Sequence, residues 1–303
     1  MNALVTGGAG FIGSHIADEL IHAGHKVVVI DDLSNGRVEN VPRDAQFYHL
    51  SILTDHALLR IARGHSIDVI FHQAAQPSLR RSIAEPEEDA RINILGTLRV
   101  VAVAKDVDAH LVFASTSAVY APDARVPFFE GEGDYRPNLP YGIAKLAAEM
   151  YIRNLSVSYT ILRYGNVYGP RQVPVGENQL IPHCIRFLRG EEPDFAINGD
   201  GEQMRDFVFV KDIARANTNV GGLKIPGTYN CGTGKGTSVN RVCATLAQIA
   251  GKPNEFPHRE AKPGEARHSV LEVHSIEQTG WRTLTSLQDG LRRTWDWYVS
   301  NHH

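Results

Sequence analysis

The stretch from Ala3 to Asp32 constrains the fold more than any other part of the chain. A short apolar strand, predicted over 3–6, leads through a glycine-rich turn into an amphipathic helix predicted over 11–23. A second apolar strand, predicted over 27–30, ends at the acidic pair Asp31 and Asp32. Strand, glycine turn, helix, strand and acid in this order predict the βαβ unit of a dinucleotide-binding domain.

Three glycines of the turn, Gly7, Gly10 and Gly13, are spaced three residues apart. Because they carry no side chains, they allow a tight turn, the approach of a pyrophosphate to the helix N-terminus, and close packing of the helix on the strand. Asp31 lies where a carboxylate would bind both hydroxyls of a ribose and repel a 2′-phosphate. We therefore predict NAD rather than NADP as the cofactor.

Strands and helices continue to alternate up to residue 162, which predicts a parallel sheet covered by helices on both faces. The predicted strands are 46–48, 68–71, 110–113 and 158–162, and the predicted helices are 55–63, 87–105 and 141–154. Residues 163–171 are predicted to form a loop. We expect an α/β fold, with a Rossmann-like doubly wound parallel sheet and a smaller, interleaved C-terminal domain.

The 303 residues suffice for two unequal domains. No low-complexity linker separates them, so we expect the chain to cross between them more than once. We assign 1–165 and 206–235 to the NAD-binding domain. We assign 166–205 and 236–303 to a domain that binds the substrate.

Tyr141 and Lys145 are four residues apart at the start of a predicted helix, so their side chains leave the same face. At a separation of ~5 Å and an effective dielectric of ~20, the ammonium would attract a phenolate by roughly 3 kcal/mol. That energy corresponds to a fall of about two units in the pKa of the phenol. The pair therefore indicates a base that works near neutral pH.

The composition argues against several classes of protein. A formal net charge of -3 gives no broad basic surface, so nucleic acid is not an expected partner. No apolar run approaches the length that spans a membrane, so we expect no membrane partner. The 3 cysteines are scattered and show neither a disulfide framework nor metal-ligand spacing. We therefore predict no metal site and a cytoplasmic location.

Several motifs follow one another in the order of one enzyme family over nearly the whole chain. They are the glycine turn with Asp31, His72-Gln73-Ala74-Ala75, STSAVY at 115–120, YGIAK at 141–145, LRYGNVYGPR at 162–171 and NGDGEQMRDFV at 198–208. In these motifs the chain resembles the extended short-chain dehydrogenase/reductase family. Within it, the resemblance is to the nucleotide-sugar epimerases and dehydratases, most of all the UDP-glucose 4-epimerases.

The resemblance implies NAD-dependent epimerisation at C4 of a UDP-hexose through a transient 4-keto sugar. Tyr141 would be the general base for the sugar 4-hydroxyl. Lys145 would lower the pKa of the tyrosine and bind the nicotinamide ribose, and Thr116 would hydrogen-bond the reacting oxygen. Relatives often pair through the helices corresponding to 87–105 and 141–154, so we expect a homodimer.

The resemblance also implies which residues bind the two ligands. For NAD they are Gly7, Gly10, Phe11, Ile12, Gly13, Asp31, Asp32, Asn35, Ser51, Ile52, Ala74, Ala75, Ser115, Tyr141, Lys145 and Tyr164. For the UDP-sugar they are Gln76, Thr116, Asn166, Gln179, Leu180, Ala196, Asn198, Arg205, Lys262, Glu265 and Ser269.

Four alternative activities are weighed against C4 epimerisation of a UDP-hexose. Ser117 and Ala118 stand where sugar dehydratases carry Asp-Glu, and because alanine cannot transfer a proton, 4,6-dehydration is disfavoured. UDP-glucuronate 4-epimerases typically carry threonine in place of Asn166, which makes that activity the second choice. A binding protein without chemistry and a reductase that releases its cofactor are the other two.

Ser269 replaces the tyrosine that excludes N-acetylated sugars in some epimerases, so we expect those sugars to fit.

Overall fold

A computed structural model of the chain describes residues 1–54, 56–131, 133–174, 179–261, 264 and 266–301. Its larger layer is a seven-stranded sheet in which every neighbouring pair of strands is parallel. The strands are β1 (Asn2–Thr6), β2 (Lys26–Asp31), β3 (Gln46–His49), β4 (Val69–His72), β5 (His110–Thr116), β6 (Tyr159–Tyr164) and, from later in the chain, β10 (Gly227–Cys231).

The strands lie in the order β3-β2-β1-β4-β5-β6-β10. The chain reverses direction across the sheet between β1 and β4, and such a switch point leaves a crevice at the carboxyl ends of the strands. This order confirms the predicted α/β, Rossmann-like fold.

Helices pack on both faces of the sheet, and a separate apolar core lies on each side. The helices of this part are α1 (Phe11–His22), α2 (Ala57–Gly64), α3 (Leu79–Ala84), α4 (Pro86–Ala90), α5 (Thr97–Asp106), α6 (Pro140–Asn154) and, from later in the chain, α8 (Val210–Gly222). Ile16 and Leu20 of α1 and Ile213 of α8 enter one core. Val100 of α5 and Ile152 of α6 enter the other. Burial on both faces explains why the central strands read as nearly continuous apolar runs.

The helix predicted over 87–105 is divided in the structure. α4 and α5 are joined by a π-helical segment, Arg91–Gly96. Such segments widen a helix locally and occur often at functional sites.

The smaller part of the structure is built around β9 (Met204–Phe209). Its other elements are β7 (Asn166–Tyr168), α7 (Leu180–Leu188), β8 (Ile197–Asn198), β11 (Gly236–Ser238), α9 (Val239–Ala250), β12 (His258–Arg259), β13 (His268–Ser269), α10 (His274–Glu277) and α11 (Leu287–Ser300). A third apolar core joins α7, α9 and α11 and includes Ile185, Leu246 and Leu291.

The prediction of a loop over 163–171 was wrong for most of that stretch. β6 continues to Tyr164, and β7 pairs in parallel with β9. The glycines and polar residues of the segment suggested a loop, but β9, some forty residues later in the chain, supplies the pairing that makes it a strand. Within the described ranges, no helix is both long and apolar enough to cross a membrane.

Candidate active site

The turn between β1 and α1 has no room for a side chain at Gly7 or Gly13. Gly7 has a φ of +69°, which favours glycine, and a Cβ there would lie 2.6 Å from the backbone nitrogen of Ala74. A Cβ on Gly13 would lie 2.2 Å from the carbonyl oxygen of Gly7. α1 begins directly after Gly10. Because the first N–H groups of a helix lack partners within it, this backbone is suited to a diphosphate.

A cavity of about 370 Å³ extends from this turn along the carboxyl ends of the central strands. Such a volume is within the usual range of a small-molecule site. Every residue that the sequence analysis assigned to NAD lines this cavity, and so do Gln76 and Gln179 of the substrate set. The strand order therefore brings the whole predicted cofactor set together.

Asp31 ends β2 inside this cavity. Its side-chain oxygens accept hydrogen bonds from the backbone N–H groups of Ala9, at 3.0 Å, and Leu33, at 2.8 Å. Burial raises the pKa of Asp31, and these hydrogen bonds oppose the rise. The carboxylate is thus fixed beside the glycine turn, where it can accept hydrogen bonds from ribose hydroxyls.

Thr116, Tyr141 and Lys145 come together beside the same cavity. Thr116 is the last residue of β5, while Tyr141 and Lys145 lie in the first two turns of α6. The side chains of Thr116 and Tyr141 adjoin each other. Lys145 is 2% exposed, and its Nζ donates to the carbonyl oxygen of Ala114 at 2.9 Å. The same Nζ lies 6.0 Å from the centre of the Tyr141 ring.

The pKa of Tyr141 differs from the expectation that Lys145 lowers it. Burial raises this pKa above its ordinary value, the charge of Asp89 raises it further, and the polar contact with Thr116 opposes both. Burial also lowers the pKa of Lys145 to about 8, against the attraction of Asp89 and Glu149. The predicted net fall in the pKa of Tyr141 was wrong because the prediction counted the charge of the Lys145 ammonium and omitted the desolvation of the phenol.

His72, in the second motif, is a histidine of the core. It is 1% exposed, and its Nδ1 and Nε2 are hydrogen-bonded to Thr6 Oγ1 at 2.8 Å and Thr97 Oγ1 at 3.0 Å. Burial lowers the pKa of His72 to about 3. The ring therefore stays neutral and joins β1, β4 and α5 beneath the cavity.

Three of the other predicted substrate residues lie on the small sheet around β9. Arg205 of β9 is the register partner of Ser269 of β13. Asn166 of β7 is paired with Phe207, two residues further along β9. Arg205 also donates to the carbonyl oxygen of Met204 at 2.8 Å. The sheet register thus groups Asn166, Arg205 and Ser269 although they are far apart in the sequence.

The rest of the predicted substrate set is near α7 and β8. Leu180 is the first residue of α7, and Ala196 directly precedes β8. Asn198 belongs to β8, and its Oδ1 accepts a hydrogen bond from Arg259 Nε at 2.8 Å. Lys262 and Glu265 lie outside the described residues.

Several residues that line the cavity were not predicted from the sequence. Three of them, Arg171, Gln172 and Val173, follow β7, and an ion pair of 2.7 Å between Arg171 and Asp18 fastens this segment to α1. The dipeptide Gly169-Pro170 was the available signal for a turn at that place, but it gave no indication of α1 as the neighbour. The others are Ile30, Ser34, Gly36, Arg37, Asn40, Leu50, Leu53, Gln73, Pro77, Arg81, Glu88, Arg91, Ile92 and Ala114.

The fold and the site define a class of protein: a dinucleotide-dependent enzyme that acts on hydroxyl or carbonyl carbons. The glycine turn and Asp31 fit a dinucleotide, and an adjacent threonine and tyrosine with a buried lysine suit proton transfer at an alcohol.

Comparison with known proteins makes the assignment specific. Residues 3–232 match the NAD dependent epimerase/dehydratase family. The UDP-glucose 4-epimerase of Mycolicibacterium smegmatis is 34% identical over 310 residues, covering 98% of both chains. The crystal structure of the Thermotoga maritima UDP-glucose 4-epimerase with UDP-glucose is 40% identical, with a TM-score of 0.92 over 99% of both chains. A UDP-N-acetylglucosamine 4-epimerase from Methanobrevibacter ruminantium, in complex with UDP-N-acetylmuramic acid, is 32% identical, with a TM-score of 0.92 over 99% of both chains.

The chain belongs to the NAD dependent epimerase/dehydratase family. Its cofactor is accordingly NAD, and the residues present fit it. Gly7 and Gly13 leave no room for a Cβ, and a turn without side chains is what the close approach of a diphosphate requires. The Asp31 carboxylate is held beside this turn, where it can bind the ribose.

Proposed function

We propose that this protein is a UDP-sugar 4-epimerase that interconverts UDP-glucose and UDP-galactose and accepts their N-acetylated counterparts. The observation that carries the proposal is the convergence of Thr116, Tyr141 and Lys145 beside a cavity with a dinucleotide turn. A protein that only binds a nucleotide has no need of these three groups together. The proposed reaction would serve galactose metabolism.

Each of the three side chains has a distinct proposed role. When bound, NAD+ would supply the site that accepts a hydride from the sugar carbon and gives it back. Tyr141 accepts the proton of the sugar 4-hydroxyl and later gives it back to the same oxygen. Lys145 supplies a positive charge close to the phenolate that forms, which offsets the cost of ionising a buried phenol. Thr116 donates a hydrogen bond to the reacting oxygen.

The small sheet is proposed to hold the UDP part of the substrate. Arg205 and Asn166 are proposed to bind the diphosphate, since a guanidinium can donate two parallel hydrogen bonds to phosphate oxygens. Leu180, Ala196 and Asn198 are proposed to surround the uracil and its ribose, and Gln76 and Gln179 to contact the substrate from the cavity side. Lys262 and Glu265 are also proposed to bind the UDP-sugar.

Ser269 supports the proposal that N-acetylated sugars are accepted. It is the register partner of Arg205, so it lies on the strand next to a proposed diphosphate ligand. A serine side chain occupies much less volume than a tyrosine, which leaves space for an acetamido group. The structurally similar Methanobrevibacter ruminantium protein is a UDP-N-acetylglucosamine 4-epimerase.

Incubating the purified protein with each UDP-sugar and resolving the products tests the proposed reaction. UDP-glucose, UDP-galactose, UDP-N-acetylglucosamine and UDP-N-acetylgalactosamine should each reach a mixture with its C4 epimer, without net formation of NADH. Conversion of UDP-glucose and UDP-galactose alone would refute the wide pocket. Conversion of UDP-glucuronate alone would overturn the substrate assignment in favour of a glucuronate epimerase.

Tyr141→Phe tests the role of the phenol. We expect turnover to fall by about 10²- to 10⁴-fold, the usual contribution of a general base, while the protein still binds NAD. Tyr229→Phe is the matched control, because the Tyr229 hydroxyl donates to the carbonyl oxygen of Pro226 and Tyr229 is not among the described residues that line the cavity. If Tyr141→Phe turns over like the control, the protein is a binding module and the proposed mechanism is wrong.

We also propose a homodimer that forms through α6 and the helices beside it. Ile143, Met150 and Tyr151 are exposed on α6, and Leu95 is exposed on the π-helical segment next to it. Large apolar side chains grouped in this way indicate a protein interface. Light scattering should give twice the mass of the chain, and Met150→Glu should shift the protein toward the monomer.

Two further proposals concern location and domain division. A cytoplasmic location is proposed because Cys184, Cys231 and Cys243 are all buried thiols, which suits a reducing compartment. Residues 1–165 with 206–235 are proposed as the NAD-binding domain, and 166–205 with 236–303 as the substrate-binding domain.

A further inference from the structure

A buried carboxylate lies directly beside the proposed catalytic groups and has no part in the chemistry described above. Glu149 is 0% exposed and lies one helical turn beyond Lys145 on α6. Its Oε1 accepts hydrogen bonds from the Ser115 hydroxyl at 2.5 Å and from Arg163 Nε at 2.9 Å. Its Oε2 accepts from Arg163 Nη2 at 2.6 Å and from Arg153 Nη2 at 2.7 Å.

The sheet register places the partners of Glu149 next to the catalytic threonine. Ser115 of β5 and Arg163 of β6 are paired across the two strands, and both side chains reach the same carboxylate on α6. The next pair in the ladder is Thr116 with Tyr164. The contact between β5 and Glu149 is therefore one residue away from Thr116, whose side chain adjoins Tyr141.

Two contacts, not one, tie the end of β5 to α6. The carbonyl oxygen of Ala114 accepts from Lys145 Nζ, and the hydroxyl of Ser115 donates to Glu149. Because Lys145 and Glu149 are four residues apart on one helix, consecutive residues of β5 are held by consecutive turns of α6. This arrangement fixes the distance between the strand that carries Thr116 and the helix that carries Tyr141.

We propose that Glu149 is a positioning residue for the reaction. Through Ser115 it holds the end of β5 against α6, and through its charge it keeps Lys145 in the ammonium form. The inference rests on the proposed function, since it concerns the same three catalytic groups. It goes further by assigning a role to a residue that touches neither the cofactor nor the substrate.

The electrostatics of Lys145 agree with this role. Burial lowers the pKa of Lys145 to about 8, and the negative charges of Asp89 and Glu149 oppose that fall. Asp89 faces it from α4 and Glu149 from its own helix, while His72 of β4 stays neutral. Removing the charge of Glu149 should therefore make the ammonium lose its proton at a lower pH.

A purely structural role for Glu149 is the competing explanation. Arg163 is fully buried, lies over the rings of Tyr120 and Tyr135, and donates to both of their hydroxyls at 2.9 Å. Glu149 could serve only to neutralise this arginine. In that case its substitution would lower stability without changing the pH profile of the reaction.

Two substitutions of Glu149 and one control separate these explanations. Glu149→Gln keeps the shape and removes the charge, whereas Glu149→Asp keeps the charge and shortens the side chain that reaches Ser115. Asp212→Asn is the control, because Asp212 is also a fully buried carboxylate with an arginine partner, Arg215, but lies on α8 away from the cavity.

Three measurements are compared well below the unfolding temperature of each variant. They are the pH profile of kcat, the KM for the UDP-sugar, and the pH titration of the Lys145 ammonium by ¹⁵N NMR in the protein as purified, assigned with Lys145→Arg. For Glu149→Gln we expect kcat to fall by up to about a hundredfold, as for a small misplacement of catalytic groups. KM should change little. The basic limb of the pH profile of kcat and the midpoint of the NMR titration should both move to lower pH. Glu149→Asp should lower kcat but leave the basic limb of the pH profile where it is in the wild type.

The proposal is overturned if both variants keep the wild-type kcat and pH profile and, like Asp212→Asn, lose only stability. If Glu149→Gln does not fold, Glu149→Asp decides: an unchanged kcat refutes the positioning role. The NMR titration needs no substrate. A wild-type protein that is inactive on every UDP-sugar would therefore refute the proposed function, while the lysine titration would still test the effect of Glu149.

Discussion

Gly13→Ala tests the idea that the backbone of the first turn leaves no space for a side chain. The added Cβ would lie 2.2 Å from the Gly7 carbonyl oxygen, 2.8 Å from its carbonyl carbon and 3.0 Å from Gly8 Cα. Ordinary contacts between such atoms are about 3.5 Å or more, so α1 must move by roughly 1 Å relative to β1. The obstructing atoms belong to the backbone and cannot rotate away, so the cost should be near the upper end of the ~1–3 kcal/mol of an overpacked core.

The cost of the Gly13→Ala substitution should appear in two measurements, the thermal stability and the affinity for the cofactor. A loss of about 3 kcal/mol in a chain of this size corresponds to a fall in Tm of about 5–10 °C. The shift of α1 also withdraws backbone N–H groups from the cofactor. One lost hydrogen bond to a charged group is worth about 1.5–3 kcal/mol, which weakens NAD binding by about 10- to 100-fold. Thermal unfolding and a fluorescence titration with NADH measure the two effects.

Gly64→Ala is the matched control. Gly64 ends α2, and a Cβ there would have no heavy atom within 4 Å, so this change should cost nothing and can stabilise the protein by up to about 1 kcal/mol. If Gly13→Ala and Gly64→Ala have the same Tm and the same affinity for NADH, the turn tolerates a side chain. The requirement for glycine at position 13 would then be refuted.

Two further predictions concern the cofactor preference and the stability at low pH. Asp31→Asn removes the charge that would repel a 2′-phosphate, so the ratio of NADPH to NADH affinity should rise by about tenfold or more in fluorescence titrations; an unchanged ratio would exclude Asp31 as the selector. The pKa of His72 is about 3 in the folded protein and ~6.5 when unfolded, so its neutral form stabilises the fold above pH ~6.5, and this contribution is lost as the pH falls toward 3. Between pH ~7 and ~5.5 the wild type should lose about 1.3 kcal/mol more unfolding free energy than His72→Asn, and parallel losses in urea titrations would show that His72 is not the group responsible.

Local sequence patterns were sufficient for most of the NAD-binding half. Gly7, Gly10, Gly13 and Asp31 are contained in one short βαβ unit, where strand, turn and helix follow directly from apolar periodicity and from the freedom of glycine. The alternation of strands and helices was similarly sufficient for the parallel sheet. These features depend on contacts between residues that are close in sequence, and such contacts leave readable patterns.

The second half of the chain was less predictable because its pairings are long-range. β7 forms only against β9, and β13 joins the same sheet through the pairing of Ser269 with Arg205. Strands of two or three residues carry too few positions to show a period. The pKa of Tyr141 is a similar case, since burial and Asp89 come from other elements and outweigh what the spacing to Lys145 suggested.

The sequence by itself determined the dinucleotide turn, the α/β class, and the residue types able to move a proton at a sugar hydroxyl. Tertiary structure alone decided that Ser115, Glu149 and Arg163 meet behind the catalytic groups, and that Arg171 is fastened to α1 beside the cofactor cavity. The physical reason is that a motif consists of residues that are close together in the sequence. The surroundings of a side chain, and with them its charge state and position, depend on segments that the fold brings from elsewhere.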